Sequence, residues 1–263
     1  MRLEATTALV TGASGGLGGA IADALAAQGA EIVATGRRAP ELDAVAARTG
    51  GRAVIADLSA PAGVEALVEA AGRVDVLVAN AALPASGHLI EYGPDEIGRA
   101  VNVNLLAPIL LARALAPGMI ERGRGHIVLM SSLSALTTTA YTSLYNTTKF
   151  GLRGFGLALR QDLRGTGVGV SVIMPGFVRD AGMFAGLVGT LPRAVGTSSP
   201  GAVTSAVLHA IVHDRAEVLV APLPMRIGAR LGGVAPALAA GVTRAMGGDR
   251  IAASIAASQR HQR

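Results

Sequence analysis

Thr6-Thr7-Ala8-Leu9-Val10-Thr11-Gly12-Ala13-Ser14-Gly15-Gly16-Leu17-Gly18 joins a short apolar run to a glycine-rich turn and then to an alanine-rich stretch. The run at 6–10 is apolar on successive residues, as expected of a strand covered on both faces. Residues 17–28 carry helical spacing and stop at Gly29. Glycines between the two elements permit a tight turn and a close backbone approach. The helix that follows aims free N–H groups and the positive end of its dipole at any anion placed there. The spacing is Gly-x-x-x-Gly-x-Gly rather than Gly-x-Gly-x-x-Gly. In a chain with 35 glycines, such a turn gains weight from its place between a first strand and a helix. It predicts a cradle for a dinucleotide pyrophosphate, contacted by Gly12, Ser14, Gly16, Leu17 and Gly18. A plain strand-to-helix turn is the alternative.

The same alternation continues outward. Strand-like runs are expected at 6–10, 31–35, 52–56, 75–79, 126–130, 168–174 and 217–220. Helical patterns fill 17–28, 40–49, 61–71, 94–122, 143–164 and 200–212, with Pro40, Pro61, Pro94 and Pro200 near their starts. Strand–helix alternation implies right-handed crossovers and a doubly wound α/β fold, with a mainly seven-stranded parallel sheet between helices. The expected organisation is a dinucleotide-binding domain over 1–221 and an apolar, arginine-rich extension over 222–263 packed on it. The irregular stretch 176–200 follows a strand's C-terminal end, where ligands bind in such sheets, so it is the natural lid or substrate wall.

Composition narrows the classes. The chain has 263 residues, no cysteine and few aromatics, which excludes a disulfide framework and a thiolate metal site. The net charge of +5 comes with scattered arginines and few aromatics for base stacking, which disfavours nucleic acid. The sequence shows no signal-peptide pattern and no uninterrupted apolar run of bilayer length, so the expected compartment is the cytoplasm.

After the second expected strand the chain reads Ala34-Thr35-Gly36-Arg37-Arg38. An acid hereabouts suits the adenosine ribose of NAD, and an arginine suits the 2′-phosphate of NADP. Arg37 and Arg38, with a hydrogen bond from Ser14, therefore favour NADP, with NAD as the alternative; at least one arginine is expected merely to solvate the loop.

Lys149 is the only lysine, and it stands four residues after Tyr145 on an expected helix. Positions i and i+4 share a helix face. An ammonium beside a phenol favours the phenolate, so the pair reads as an activated acid/base tyrosine. A compact ammonium also suits sugar hydroxyls better than a planar guanidinium does.

Together these residues resemble the short-chain dehydrogenase/reductase family, whose Rossmann-type fold matches from about residue 5 to 220. Thr11-Gly12-x-x-x-Gly16-x-Gly18 is similar to its cofactor fingerprint. Asp57-Leu58 resembles its adenine contact, and Asn80-Ala81-Ala82 its Asn-Ala-Gly turn with alanine in the last place. Asn104, in Asn104-Leu105-Leu106-Ala107-Pro108, resembles the family's helix asparagine better than Asn102 does. Ser132 lies thirteen residues before Tyr145, the spacing of the family's serine and tyrosine. Pro175-Gly176-Phe177-Val178 resembles the turn beside the nicotinamide, whereas Asp180 stands where a threonine is common. The resemblance implies hydride transfer between a nicotinamide and a carbonyl or alcohol carbon. Tyr145 would move the proton, and Lys149 would hold the ribose and lower the phenol's pKa. Ser132 would bind the substrate oxygen, and Asn104 would hold a water near Lys149. It also implies a homodimer or homotetramer formed through the helices at 94–122 and 143–164.

No metal is expected, and His209 and His213 read as a helix face. Phe177, Met183, Phe184, Leu187, Val188 and Leu191 give the 176–200 loop an apolar character that suggests a lipophilic substrate. Residues 222–263 alternate apolar residues with Arg226, Arg230, Arg244, Arg250, Arg260 and Arg263 against Asp249. Packing on the same subunit or on a sister subunit is the expected outcome, with a membrane surface as the alternative. Two other functions compete: a non-catalytic nucleotide sensor or scaffold, and an epimerase or dehydratase, which would need a larger C-terminal substrate region.

Overall fold

Strands β1 (Thr7–Thr11), β2 (Glu31–Gly36), β3 (Arg52–Ile55), β4 (Val76–Ala79), β5 (Gly125–Met130), β6 (Val168–Pro175) and β7 (Glu217–Val220) form one parallel sheet, ordered β3-β2-β1-β4-β5-β6-β7. The computed structural model describes residues 1–182, 196–245 and 247–259. The register stacks apolar residues in rows. Val33, Leu9, Leu77, Ile127 and Val170 are successive partners across five strands and share one core. One residue further along, Ala34, Val10, Val78 and Val128 form the neighbouring row in the core on the other face. Period-2 alternation thus feeds two cores, which is why these strands read as continuously apolar.

Helices α1 (Gly16–Ala26), α2 (Ala39–Thr49) and α7 (Pro200–His213) cover the face of the Val10 row, with Ile21, Leu25, Leu42, Val203 and Val207 buried there. Helices α3 (Pro61–Ala71), α5 (Ala107–Glu121) and α6 (Ser143–Asp162) cover the face of the Leu9 row through Leu67, Leu111, Met119 and Leu152. The chain runs outward from β1 to β3, then returns to place β4 on the other side of β1. The resulting switch point opens a crevice at the C-terminal ends of β1 and β4.

The sheet, its order of elements and the expected strands agree with the sequence to within a residue or two. Three features differ. The helix expected at 94–122 is α4 (Pro94–Val101), a π-helical turn over Asn102–Leu106, and then α5. That run, Pro94–Glu121, has the length and hydropathy to cross a bilayer, but half of its most apolar window is buried against the protein, as in a core helix. The arginine-rich extension, expected only as apolar turns, forms α8 (Leu223–Val234), α9 (Pro236–Ala245) and α10 (Gly248–Gln259). Of the 176–200 loop, Val178 makes a parallel bridge with Ser198. Met183, Phe184, Leu187, Val188, Leu191, Met246, Arg260 and Arg263 lie outside the described residues.

Candidate active site

The crevice encloses about 640 Å³ between the β1 turn, the β4 turn and the start of α6. At one end lies the glycine turn. Gly12 has φ +67°, and a Cβ there would sit 2.9 Å from Ala81 Cα. A Cβ on Gly18 would sit 2.3 Å from the Gly12 carbonyl oxygen and 2.8 Å from Asn80 Nδ2. At Gly16 the nearest atom to such a Cβ is the Ala181 side chain at 3.3 Å. Thr11 locks the two turns together. Its Oγ1 accepts from the Asn80 and Ala81 N–H groups, each at 2.9 Å, and Asn80 Nδ2 donates to the Thr11 carbonyl at 3.0 Å. No side chain caps the N-terminus of α1, and its first turn carries no acid. Leu17 lies in that first turn, at the wall of the crevice. Uncapped helix N–H groups facing a glycine-lined hollow fit a pyrophosphate.

The end of the crevice beside the C-terminal ends of β2 and β3 is lined by Ser14, Arg37, Arg38, Asp57 and Leu58. Gly36 lets Ser14 pack close: a Cβ at that position would lie 2.8 Å from Ser14 Oγ, and the serine side chain would have to turn away. The two arginines behave differently. Arg38 donates to the Ser14 carbonyl and pairs with Glu41 at 3.2 Å, bracing the loop. Among the described residues no hydrogen bond or ion pair engages the Arg37 guanidinium, which lines the crevice. Asp57 Oδ1 accepts from the Ser59 N–H at 2.9 Å. That backbone bond, helped by the nearby charges of Arg37 and Arg99, holds the Asp57 carboxyl below its ordinary pKa.

The other end gathers Ser132, Tyr145, Lys149, Pro175, Gly176 and Val178. Ser132 follows β5, and its Oγ accepts from the Ser134 N–H at 3.1 Å. Asn146 Nδ2 donates to the Ser134 and Thr137 carbonyls at 2.9 and 2.7 Å, fixing this segment against α6. Tyr145 and Lys149 project from adjacent turns of α6 and are both buried. Lys149 Nζ donates to the Met130 carbonyl at 2.9 Å and lies 5.7 Å from the Tyr145 ring centroid. Burial dominates both groups. It pushes the phenol up to about 12, opposed by a hydrogen bond with Ser132, and pulls the ammonium down to about 8. Lys149, expected to lower the phenol's pKa, turns its ammonium to the Met130 carbonyl, while burial pushes the phenol up.

The family model for short chain dehydrogenases matches residues 6–189. The chain belongs to the short-chain dehydrogenase family. A curated relative, the ketoacyl reductase HetN of Nostoc sp., is 40% identical over 233 residues, covering 85% of this chain and 81% of the relative. The 1-deoxy-11-beta-hydroxypentalenate dehydrogenase of Streptomyces exfoliatus is 39% identical over 210 residues, 74% of each chain. A metagenomic short-chain oxidoreductase solved in complex with NADP superposes with a TM-score of 0.69 at 33% identity, covering 84% of this chain and 98% of its own.

In this short-chain dehydrogenase the crevice lining includes every expected catalytic and cofactor-binding residue except Asn104. Asn104 is buried in the π-helical turn. Its Oδ1 accepts from the Leu83 N–H at 2.6 Å and its Nδ2 donates to the Leu83 carbonyl at 2.9 Å. Asn102 Nδ2 instead donates to the Ser59 carbonyl at 2.8 Å, so each asparagine anchors a different loop of the crevice. Asp180 is exposed, with φ +65°, and is not part of the crevice lining. Thr11, Arg99 and Asn146 were not singled out. Thr11 sits inside the recognised glycine motif, and that position was the available signal. Arg99 reaches the site only through tertiary folding, whereas Asn146 stands beside Tyr145 within the stretch that ends at Lys149.

Proposed function

We propose that the protein is an NADP(H)-dependent oxidoreductase that reduces the carbonyl group of a lipophilic substrate. The observation that carries this is the meeting of Ser132, Tyr145 and Lys149 with the glycine cradle and the unpaired Arg37 in one crevice. A bound dihydronicotinamide supplies the hydride. The protein's residues supply the proton and the setting. Tyr145, its phenol raised to about 12, is protonated at neutral pH and acts as the acid that protonates the oxygen of the forming alcohol. Ser132 donates a hydrogen bond to that oxygen and stabilises its growing charge. Lys149 is suited to ribose hydroxyls and to renewing the Tyr145 proton from solvent. Arg37 is the group for a 2′-phosphate, with Arg38 and Ser14 holding its loop in shape.

The names of the relatives, a ketoacyl reductase and a pentalenate dehydrogenase, support a lipophilic ketone or hydroxy compound as substrate. Residues 1–221 are the dinucleotide-binding unit in this reading, with 222–263 an extension of it. Association through α5 and α6 into a dimer or tetramer fits the exposed Ile120 and Phe150 on those helices. The proposed compartment is the cytoplasm.

The test is turnover of NADPH with a panel of lipophilic ketones that includes a 3-ketoacyl thioester. Tyr145→Phe is expected to keep NADPH affinity and lose ~10²- to 10⁴-fold in kcat. Full turnover by that variant refutes the mechanism. The parent is expected to bind NADPH more tightly than NADH, and Arg37→Ala to lose most of that preference, roughly tenfold or more for one charge-assisted contact. A parent that prefers NADH defeats the cofactor assignment.

A further inference from the structure

Helix α8 is apolar on two opposite faces. Its inner face, through Met225 and Ala229, packs with Leu133, Leu136, Val172 and Met174. Gly232 lets it approach Thr137, whose Oγ1 would lie 2.5 Å from a Cβ at that position. Its outer face carries Leu223, Ile227, Leu231 and Val234, one per turn, at 64%, 51%, 61% and 86% exposure. Helix α9, joined to it directly, adds Leu238 and Val242 at 71% and 51%. A surface helix of a folded protein ordinarily carries one apolar stripe, turned to the core, so a second stripe of large side chains implies a partner.

Charge identifies the partner. Arg230 and Arg244 are exposed on the same two helices, and Arg250 is exposed on α10. Residues 222–248 contain no Asp or Glu. A second copy of the chain meeting this face across a two-fold axis would set arginine patch against arginine patch, with no carboxylate in either to pair with. An anionic lipid surface satisfies both the apolar stripe and the guanidinium groups. We propose that α8 and α9 dock the protein on a membrane surface containing anionic lipid.

The same helix backs the crevice. A Cβ on Gly176, which lines the nicotinamide end, would lie 3.3 Å from Met225 Cε on the inner face of α8. Docking therefore holds the Gly176 end of the crevice one helix away from the lipid phase, into which a lipophilic substrate partitions. That consequence rests on the lipophilic-substrate reading; the docking itself does not.

The test is co-sedimentation of the full chain with phosphatidylcholine vesicles, with and without about 30% phosphatidylglycerol, at low and high salt. Binding is expected to need phosphatidylglycerol and to weaken at high salt. The double variant Ile227→Gln, Leu231→Gln is expected to lower vesicle binding about tenfold or more while keeping the parent's melting temperature and NADPH affinity. The proposal is overturned by an absence of binding to the anionic vesicles, or by binding that the double variant leaves unchanged. It is also overturned if the double variant converts a parent dimer to monomer, because a second copy then covers this face. Loss of NADPH turnover in the parent with vesicle binding intact would bear on the enzymatic reading alone.

Discussion

Tyr145 and His126 show how burial sets chemistry one residue at a time. Tyr145 was legible from its i+4 lysine, but the sign of its shift was not, because desolvation depends on packing that no local pattern records. His126 lies at the start of β5, after Gly125, on the α7 side of the sheet. Its Nε2 lies 2.8 Å from Ser171 Oγ, which itself donates to the Arg215 carbonyl at 2.6 Å, so Nε2 carries the proton. With Asp214 close by, the three side chains mimic a Ser-His-Asp triad, yet Ser171 is fully buried and offers no nucleophile to a substrate. Burial pulls His126 down to about 4, against the pull of the Asp214 charge. In the unfolded chain this imidazole gains its proton near its ordinary pKa of about 6.5; in the fold it does so only near 4. Stability is therefore full above about pH 6.5 and lost as pH falls toward 4, by about 3 kcal/mol for that shift. Urea unfolding at several pH values in that window is expected to show this slope, and His126→Gln to flatten it; an unchanged slope would place the acid sensitivity elsewhere.

At the scale of elements, the local signals were the readable ones. The glycine turn, the strands and most helix starts carry their cause in neighbouring residues, such as Gly12 with its positive φ or Pro61 and Pro200 at helix N-termini. Gly18 gives the sharpest test. An alanine there meets the Gly12 carbonyl at 2.3 Å, whereas one at Gly98, inside α4, meets nothing within 4 Å. Gly18→Ala is expected to cost roughly 1–3 kcal/mol of stability and to weaken NADPH binding. Gly98→Ala is expected to gain ~0.5–1 kcal/mol. Thermal melts of both, with and without NADPH, check the contrast, and a neutral Gly18→Ala would show that the turn can relax. The less readable elements depend on distant partners. The π-helical turn exists where Asn104 satisfies both backbone groups of Leu83, twenty-one residues away in sequence. Helices α8 and α9 contain Pro224, Gly228, Gly232, Gly233 and Pro236, which read locally as breakers. Tertiary packing of Ala229 and Gly232 against the segment after β5 overrides them.

Across the whole molecule, strand–helix alternation was enough to anticipate a doubly wound parallel sheet and a site at its switch point. It could not show which faces the last helices would leave bare, since exposure is a property of the finished surface. The strand order has a further consequence for a chain emerging from the ribosome. β1 is made first, yet its second neighbour is β4, so one edge of β1 stays open until residue 79 has been translated and released. Thr11 cannot be clasped by Asn80 and Ala81 before then, and the phosphate cradle has no far wall. After that point β5, β6 and β7 each add to the edge left by the strand before, always on the same side. The nascent protein therefore carries an unpaired strand edge throughout its synthesis, beginning before the cradle that a cofactor could close has formed.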